Sequence, residues 1–165
     1  MNSSNPLRFS VPVLALALAA PALPAFSAEV GRVILSSGDT FALRGSRSLK
    51  LAFGDTIEDR DILRTGPASN LQVRFVDESL MSLKENSELG IDEFRFAGRQ
   101  GQQDRAFFRL LKGGLRTITG LIGKTRHNDY ALRSVTSTIG IRGTDYAATL
   151  CQGDCRNSDG SSAKD

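Results

Sequence analysis

Few residues of this 165-residue chain have the type and spacing to do chemistry. The single histidine, His127, lies in the polar run Arg126-His127-Asn128-Asp129, and no serine, histidine and acid set assembles around it. Its expected role is that of a solvated loop residue. Paired carboxylates suited to general acid and base work occur as Asp59 with Asp61 and as Asp77 with Glu78. All four occupy turn-like positions, where aspartate commonly accepts hydrogen bonds from nearby amides, so structural roles are expected. The run Gly123-Lys124-Thr125 ends like a phosphate-binding loop but lacks the first glycine at the required spacing. Cys151 and Cys155 enclose Gln152-Gly153-Asp154, and a local disulfide closing a tight turn is the leading expectation. Two free thiols are the alternative. A zinc site would need four ligands, and the chain offers these two thiols and His127 without ligand-like spacing. No metal, no cofactor and no enzymatic activity are expected. Arg142 stands between Gly140 and Gly143, where its planar donor fork can meet a carboxylate or phosphate, or pair with a turn aspartate.

The elements that must carry these residues follow a period of two, with turn residues every eight to twelve positions. In Leu71, Val73 and Phe75 the apolar side chains fall on one face of a strand, and Gln72 and Arg74 fall on the other. The same reading places strands at Gly31 to Leu35, Thr40 to Arg44, Leu49 to Phe53, Asp61 to Arg64 and Leu80 to Leu83. Further strands are expected around Leu89 and Ile91, at Ala106 to Leu111, and at Leu115 to Thr119. The last run is Ala131 to Val135, Thr138 to Arg142 and Asp145 to Leu150. Ala97 to Gln103 reads as a surface loop, and Gly120 to Asp129 as a second loop with a short helical turn at Leu121 and Ile122. The fold class is all-β, a single domain of about ten to twelve short strands built as a sandwich or jelly roll. Phe94, Phe96, Phe107 and Phe108 are assigned to its core.

Residues 1–28 read as a secretory signal peptide: Arg8 precedes an apolar run from Val11 to Ala20 and then a zone of small residues and proline. Cleavage is expected near Ala28 or Glu29. That apolar run is too short to span a bilayer, and no later stretch approaches the roughly twenty residues required. The domain is expected over residues 29–150, in the periplasm or outside the cell and not membrane-spanning after cleavage. Residues 151–165 are expected to form a cysteine-containing turn and a flexible polar tail.

Charge is unevenly spread. Glu29 to Glu93 carries eight Lys or Arg against twelve Asp or Glu, whereas Phe94 to Arg142 carries ten against two. A basic block of this kind attracts anions, or it simply solvates outward strand faces. Arg109 and Arg116 in the block join Arg142 as candidate contacts for a partner or an anion. Nucleic acid is not expected, since an exported domain rarely meets it and aromatic residues are not interleaved for base stacking.

The segment Gly140-Ile141-Arg142-Gly143-Thr144-Asp145-Tyr146 resembles the C-terminal signature of the FecR domain, a bacterial envelope module. Upstream, in the order of that family, stand Gly54-Asp55, Leu63-Arg64-Thr65-Gly66 and the run from Leu71 to Leu80. The resemblance spans about Gly31 to Leu150 and implies an all-β periplasmic domain without catalytic machinery. In the founding members such a domain signals through a membrane helix to a cytoplasmic sigma-factor regulator, wiring this chain is not expected to share. Among the shared residues, Gly54 and Gly66 are expected at positive φ, Asp55 and Thr65 as acceptors for nearby amides, and Gly143 beside Thr144 at a close backbone approach. The expected function is binding to an envelope protein partner in signalling or scaffolding. A carbohydrate- or peptidoglycan-binding module, recognising cell-wall polysaccharide, is the alternative.

Overall fold

A computed structural model describes residues 28–98, 103–135, 137–141 and 145–150. The leader apart from Ala28, the candidate pair Cys151 and Cys155, the polar tail, and Arg142, Gly143 and Thr144 lie outside the described residues.

Thirteen strands make up the described chain. They are β1 (Glu29–Ser37), β2 (Thr40–Arg44), β3 (Arg47–Lys50), β4 (Thr56–Glu58), β5 (Ile62–Thr65), β6 (Asn70–Phe75) and β7 (Leu80–Leu83). There follow β8 (Glu88–Arg95), β9 (Arg105–Lys112), β10 (Gly114–Ile118), β11 (Tyr130–Arg133), β12 (Thr138–Gly140) and β13 (Asp145–Thr149). One short helix, α1 (Leu121–Thr125), and a 3-10 turn at His127–Asp129 lie between β10 and β11. The all-β expectation is met. The extra strand is β4, which has a single apolar residue, Ile57, and therefore no visible period.

The strands form a six-stranded sheet in the order β13-β10-β7-β6-β1-β4 and a seven-stranded sheet in the order β12-β11-β9-β8-β5-β2-β3. Every pairing is antiparallel except β9 with β11, which run parallel. That exception follows from the route: the chain leaves β9, adds β10 to the other sheet, and returns through α1 to lie beside β9. Alternation decides which faces meet. Leu71, Val73 and Phe75 of one sheet and Leu89, Phe94, Phe108 and Leu110 of the other are buried in one core cluster. Each such side chain contributes about 1.5–3 kcal/mol on burial. Phe75 stacks on Phe94 with ring centroids 5.1 Å apart and meets Phe108 edge-on at 5.3 Å. Phe107, expected in this core, points the other way. It is half-buried on the outer face of the seven-stranded sheet, because its neighbours Ala106 and Phe108 take the inward positions.

Polar side chains pin the sandwich at its corners. The Arg44 guanidinium on β2 donates to both carboxylate oxygens of buried Asp61, at 2.9 and 2.8 Å, and to Glu58 Oε1 and the Thr56 carbonyl of β4. The clamp ties the seven-stranded sheet to the edge of the six-stranded one. Thr65 Oγ1 donates to the Lys84 carbonyl and accepts from the Ser87 amide at 3.0 Å, the acceptor role expected of it, though its partners lie far along the chain. Gly54 has φ +90°, as expected, and Asp55 Oδ2 accepts from the Ala52 amide at 2.7 Å. This turn ends β3 at Lys50, short of the expected Phe53, which is left exposed. Gly66 departs from expectation. Its φ is not positive; a β-carbon there would make a tight contact, 3.2 Å from Asp39 Cβ.

Candidate functional site

On the outer face of the seven-stranded sheet, strand register lines up Leu43, Ile62, Gly90, Arg109, Arg133 and Thr138 in one row, from β2, β5, β8, β9, β11 and β12. Gly90 brings no side chain to this row, so the middle is a trough. It forms a groove of about 320 Å³ lined by apolar Ile62, Ile91 and Leu111 and by charged Arg60, Asp92 and Arg109. A β-carbon built on Gly90 would lie 3.7 Å from Asp92 Oδ1 and 3.8 Å from the Arg109 carbonyl oxygen, which are ordinary contacts. The fold does not require glycine here.

The charged rim is held from beneath. Asp92 sits where β8 bulges against β9 between Ile91 and Glu93, and bulges re-aim side chains. Its Oδ1 accepts from Arg109 Nε at 3.0 Å and from the Nη2 of the same guanidinium. Those hydrogen bonds raise the Arg109 pKa above its usual value, so the side chain is a fixed cation. Arg60 rises from the turn between β4 and β5 with φ +68°. That turn is laced to β8: Asp59 Oδ1 accepts from the Phe94 amide at 2.8 Å, and the Asp61 carbonyl accepts from the Ile91 amide at 2.9 Å.

The other candidate arginine is on the opposite side of the molecule. Arg116 projects from β10 on the outer face of the six-stranded sheet, where its Nε and Nη2 donate to the two carboxylate oxygens of Asp145 at 3.1 and 2.5 Å. The same pairing raises the Arg116 pKa and lowers that of Asp145. A smaller cavity of about 170 Å³ beside it is lined by Ile34, Leu80 and Ile118 among others. Arg109 and Arg116 thus cannot share a ligand, and Arg142 falls outside the described residues. Among the signature glycines, Gly140 ends β12 with open space where a side chain would go. His127 is exposed on the 3-10 turn, beside an ion pair of Arg126 with Asp129. Asp61 is engaged by Arg44, and Asp77 Oδ1 accepts from the amide and hydroxyl of Ser79, so both acids hold turns together.

The groove itself was not legible in the sequence. Arg109 stood out by charge, whereas Ile62, Gly90 and Arg133 become its neighbours only through strand register. The alternating run Arg105, Phe107, Arg109 and Leu111 was the one local signal of an outward face.

Residues 61–162 match the family described as FecR protein, a segment holding β5 to β13 and all of the groove lining except Arg60. The chain belongs to the FecR family. FecR proteins form a regulatory, non-catalytic family whose domains are typically periplasmic. The pair Gly54-Asp55 lies ahead of the matched FecR segment, whereas Thr65-Gly66 and the signature from Gly140 fall within it. No curated protein and no solved structure matches the chain. Among the described residues of this FecR domain, no helix is long and apolar enough to cross a membrane.

Proposed function

We propose that this FecR domain is exported by its leader and binds a protein partner in envelope signalling or scaffolding, using the groove over Gly90. The observation that supports this reading is the combination of apolar floor and charged rim on a rigid sheet face. Recognition surfaces place an apolar contact at the centre and polar groups around it. A side chain from the partner would lie over Gly90 against Ile62 and Leu111, with Arg60, Asp92 and Arg109 setting its orientation. The competing reading, a cell-wall polysaccharide module, calls for aromatic plates in the groove, and the lining contains none. Arg142 is a further candidate contact. Arg142→Ala should weaken binding while changing stability by no more than about 1 kcal/mol.

Gly90→Leu is the decisive variant, because it fills the groove at a site with room for a side chain and in a strand that tolerates one. Its melting curve should stay within about 1 kcal/mol of wild type. Captured from envelope extract, a stoichiometric protein partner should bind the wild type and be lost with Gly90→Leu. Cosedimentation with purified cell wall, unaffected by that substitution, would overturn the reading. Amino-terminal sequencing of exported material should begin near Ala28 or Glu29.

A further inference from the structure

The row that contains the groove continues past Gly90 into two arginines that face each other. Arg109 on β9 and Arg133 on β11 are directly opposed in the parallel register, and like charges so placed repel. Another opposed pair on the same sheet, Arg95 and Arg105, is bridged by the shared carboxylate of Glu93 at 3.0 and 3.7 Å. Among the described residues no carboxylate bridges Arg109 and Arg133 in this way. Asp92 serves Arg109 alone, and the Arg133 guanidinium rests over the Phe107 ring, 5.4 Å from its centroid. That contact orients a cation without neutralising it. Among the described residues Arg133 makes no ion pair, and its side chain is exposed.

We propose that Arg109 and Arg133 form a carboxylate-binding site contiguous with the Gly90 groove, and that the occupant is an extended protein segment pairing an apolar side chain with an acidic one. This deepens the reading given above and rests on it. The strand spacing places Ile62 and Arg133 roughly 14 Å apart along the row, about the length of four or five extended residues. The apolar side chain fills the trough over Gly90. The acidic one, two residues on along the same face, reaches the two guanidiniums, whose planar forks suit a carboxylate. A polysaccharide supplies the anion but has no apolar side chain for the trough, so the protein segment is the better fit.

The test is a titration of isotope-labelled full-length protein, followed by amide resonances, with three probes. These are a soluble peptide repeating Leu-Ser-Glu-Ser, which sets leucine and glutamate two residues apart on one face, its counterpart with lysine in place of glutamate, and polygalacturonate. The acidic peptide should shift the amides of Gly90, Arg109 and Arg133. Arg133→Ala should weaken it about tenfold, the scale of one charge-assisted hydrogen bond, with Arg133→Lys falling between. Gly90→Leu should abolish binding, and added salt should weaken it. Unchanged thermal melting of Arg133→Ala separates this loss from a folding defect. Equal binding of the lysine peptide, shifts confined to the six-stranded sheet, or no shift with the acidic peptide would overturn the proposal. So would polygalacturonate binding that survives Gly90→Leu. If a captured partner depends on Gly90 but not on Arg133 or salt, the arginine site fails and the groove stands. If no protein partner is captured, the groove reading fails, while the peptide titration still reports on the arginines.

Discussion

Asp77 is fully buried, and its carboxylate is spent on the turn that carries it. Oδ1 accepts from the amide and hydroxyl of Ser79, Oδ2 accepts from the Ile122 amide at 3.4 Å, and its backbone carbonyl accepts from the Leu121 amide. One residue therefore joins the β6–β7 turn to the start of α1. Removing it strands buried donors, so Asp77→Ala should cost about 2–4 kcal/mol by denaturant unfolding, against about 0.5 kcal/mol for exposed Lys112→Ala. A cost below that range would show that water replaces the carboxylate. Two serines do similar work: Ser69 Oγ accepts from the Asp39 amide at 2.8 Å, and Ser87 Oγ from the Gly114 amide at 2.9 Å. The turn character of Asp61 and Asp77 was legible, because aspartate beside turn residues has a local reason to be there. Their distant partners, Arg44 and Ile122, 17 and 45 residues away, were not.

At the scale of elements, the short strand β4 shows what holds an edge in place when little apolar surface is available. Only Ile57 enters the core from it, and the Arg44 clamp with Asp61, Glu58 and Thr56 supplies the rest. The Asp61 side chain is fully buried, and the raised pKa of Arg44 comes chiefly from their hydrogen bonds. Arg44→Ala should therefore cost about 3–5 kcal/mol, because it leaves a buried carboxylate unpaired. Arg47→Ala, at an exposed site directly across the strand pair, should stay within about 0.5 kcal/mol, and equal losses would refute the clamp. Strand pairing also explains the fate of the basic block. β8 brings Glu88, Asp92 and Glu93 beside Arg64, Arg109 and Arg105, so acidic and basic segments largely cancel where they meet. Counting charge along the chain could not show this, since the cancellation runs across strands.

Across the whole molecule, the two sheets are linked by the chain's only tyrosines. Tyr130 of the seven-stranded sheet and Tyr146 of the six-stranded sheet share a hydroxyl hydrogen bond of 3.2 Å inside the sandwich. Burial raises the pKa of Tyr130 well above its ordinary value and also raises that of Tyr146. Folded-state values above the unfolded value of about 10 mean that this stability is complete below about pH 10. Stability then falls as pH rises, because the unfolded phenols ionise first. Phenolate absorbance should appear together with loss of the strand circular dichroism signal; ionisation of both phenols near pH ~10 with the fold intact would contradict their burial. The sequence by itself determined the all-β class, most strand positions and the FecR relationship, since alternation and turn chemistry act over a few neighbouring residues. Only the tertiary structure decided that Phe107 faces outward, that Arg109 and Arg116 lie on opposite faces, and that Gly90 opens a groove beside two opposed arginines. Those facts depend on which strands pair and in what register, and long-range packing of two sheets sets both.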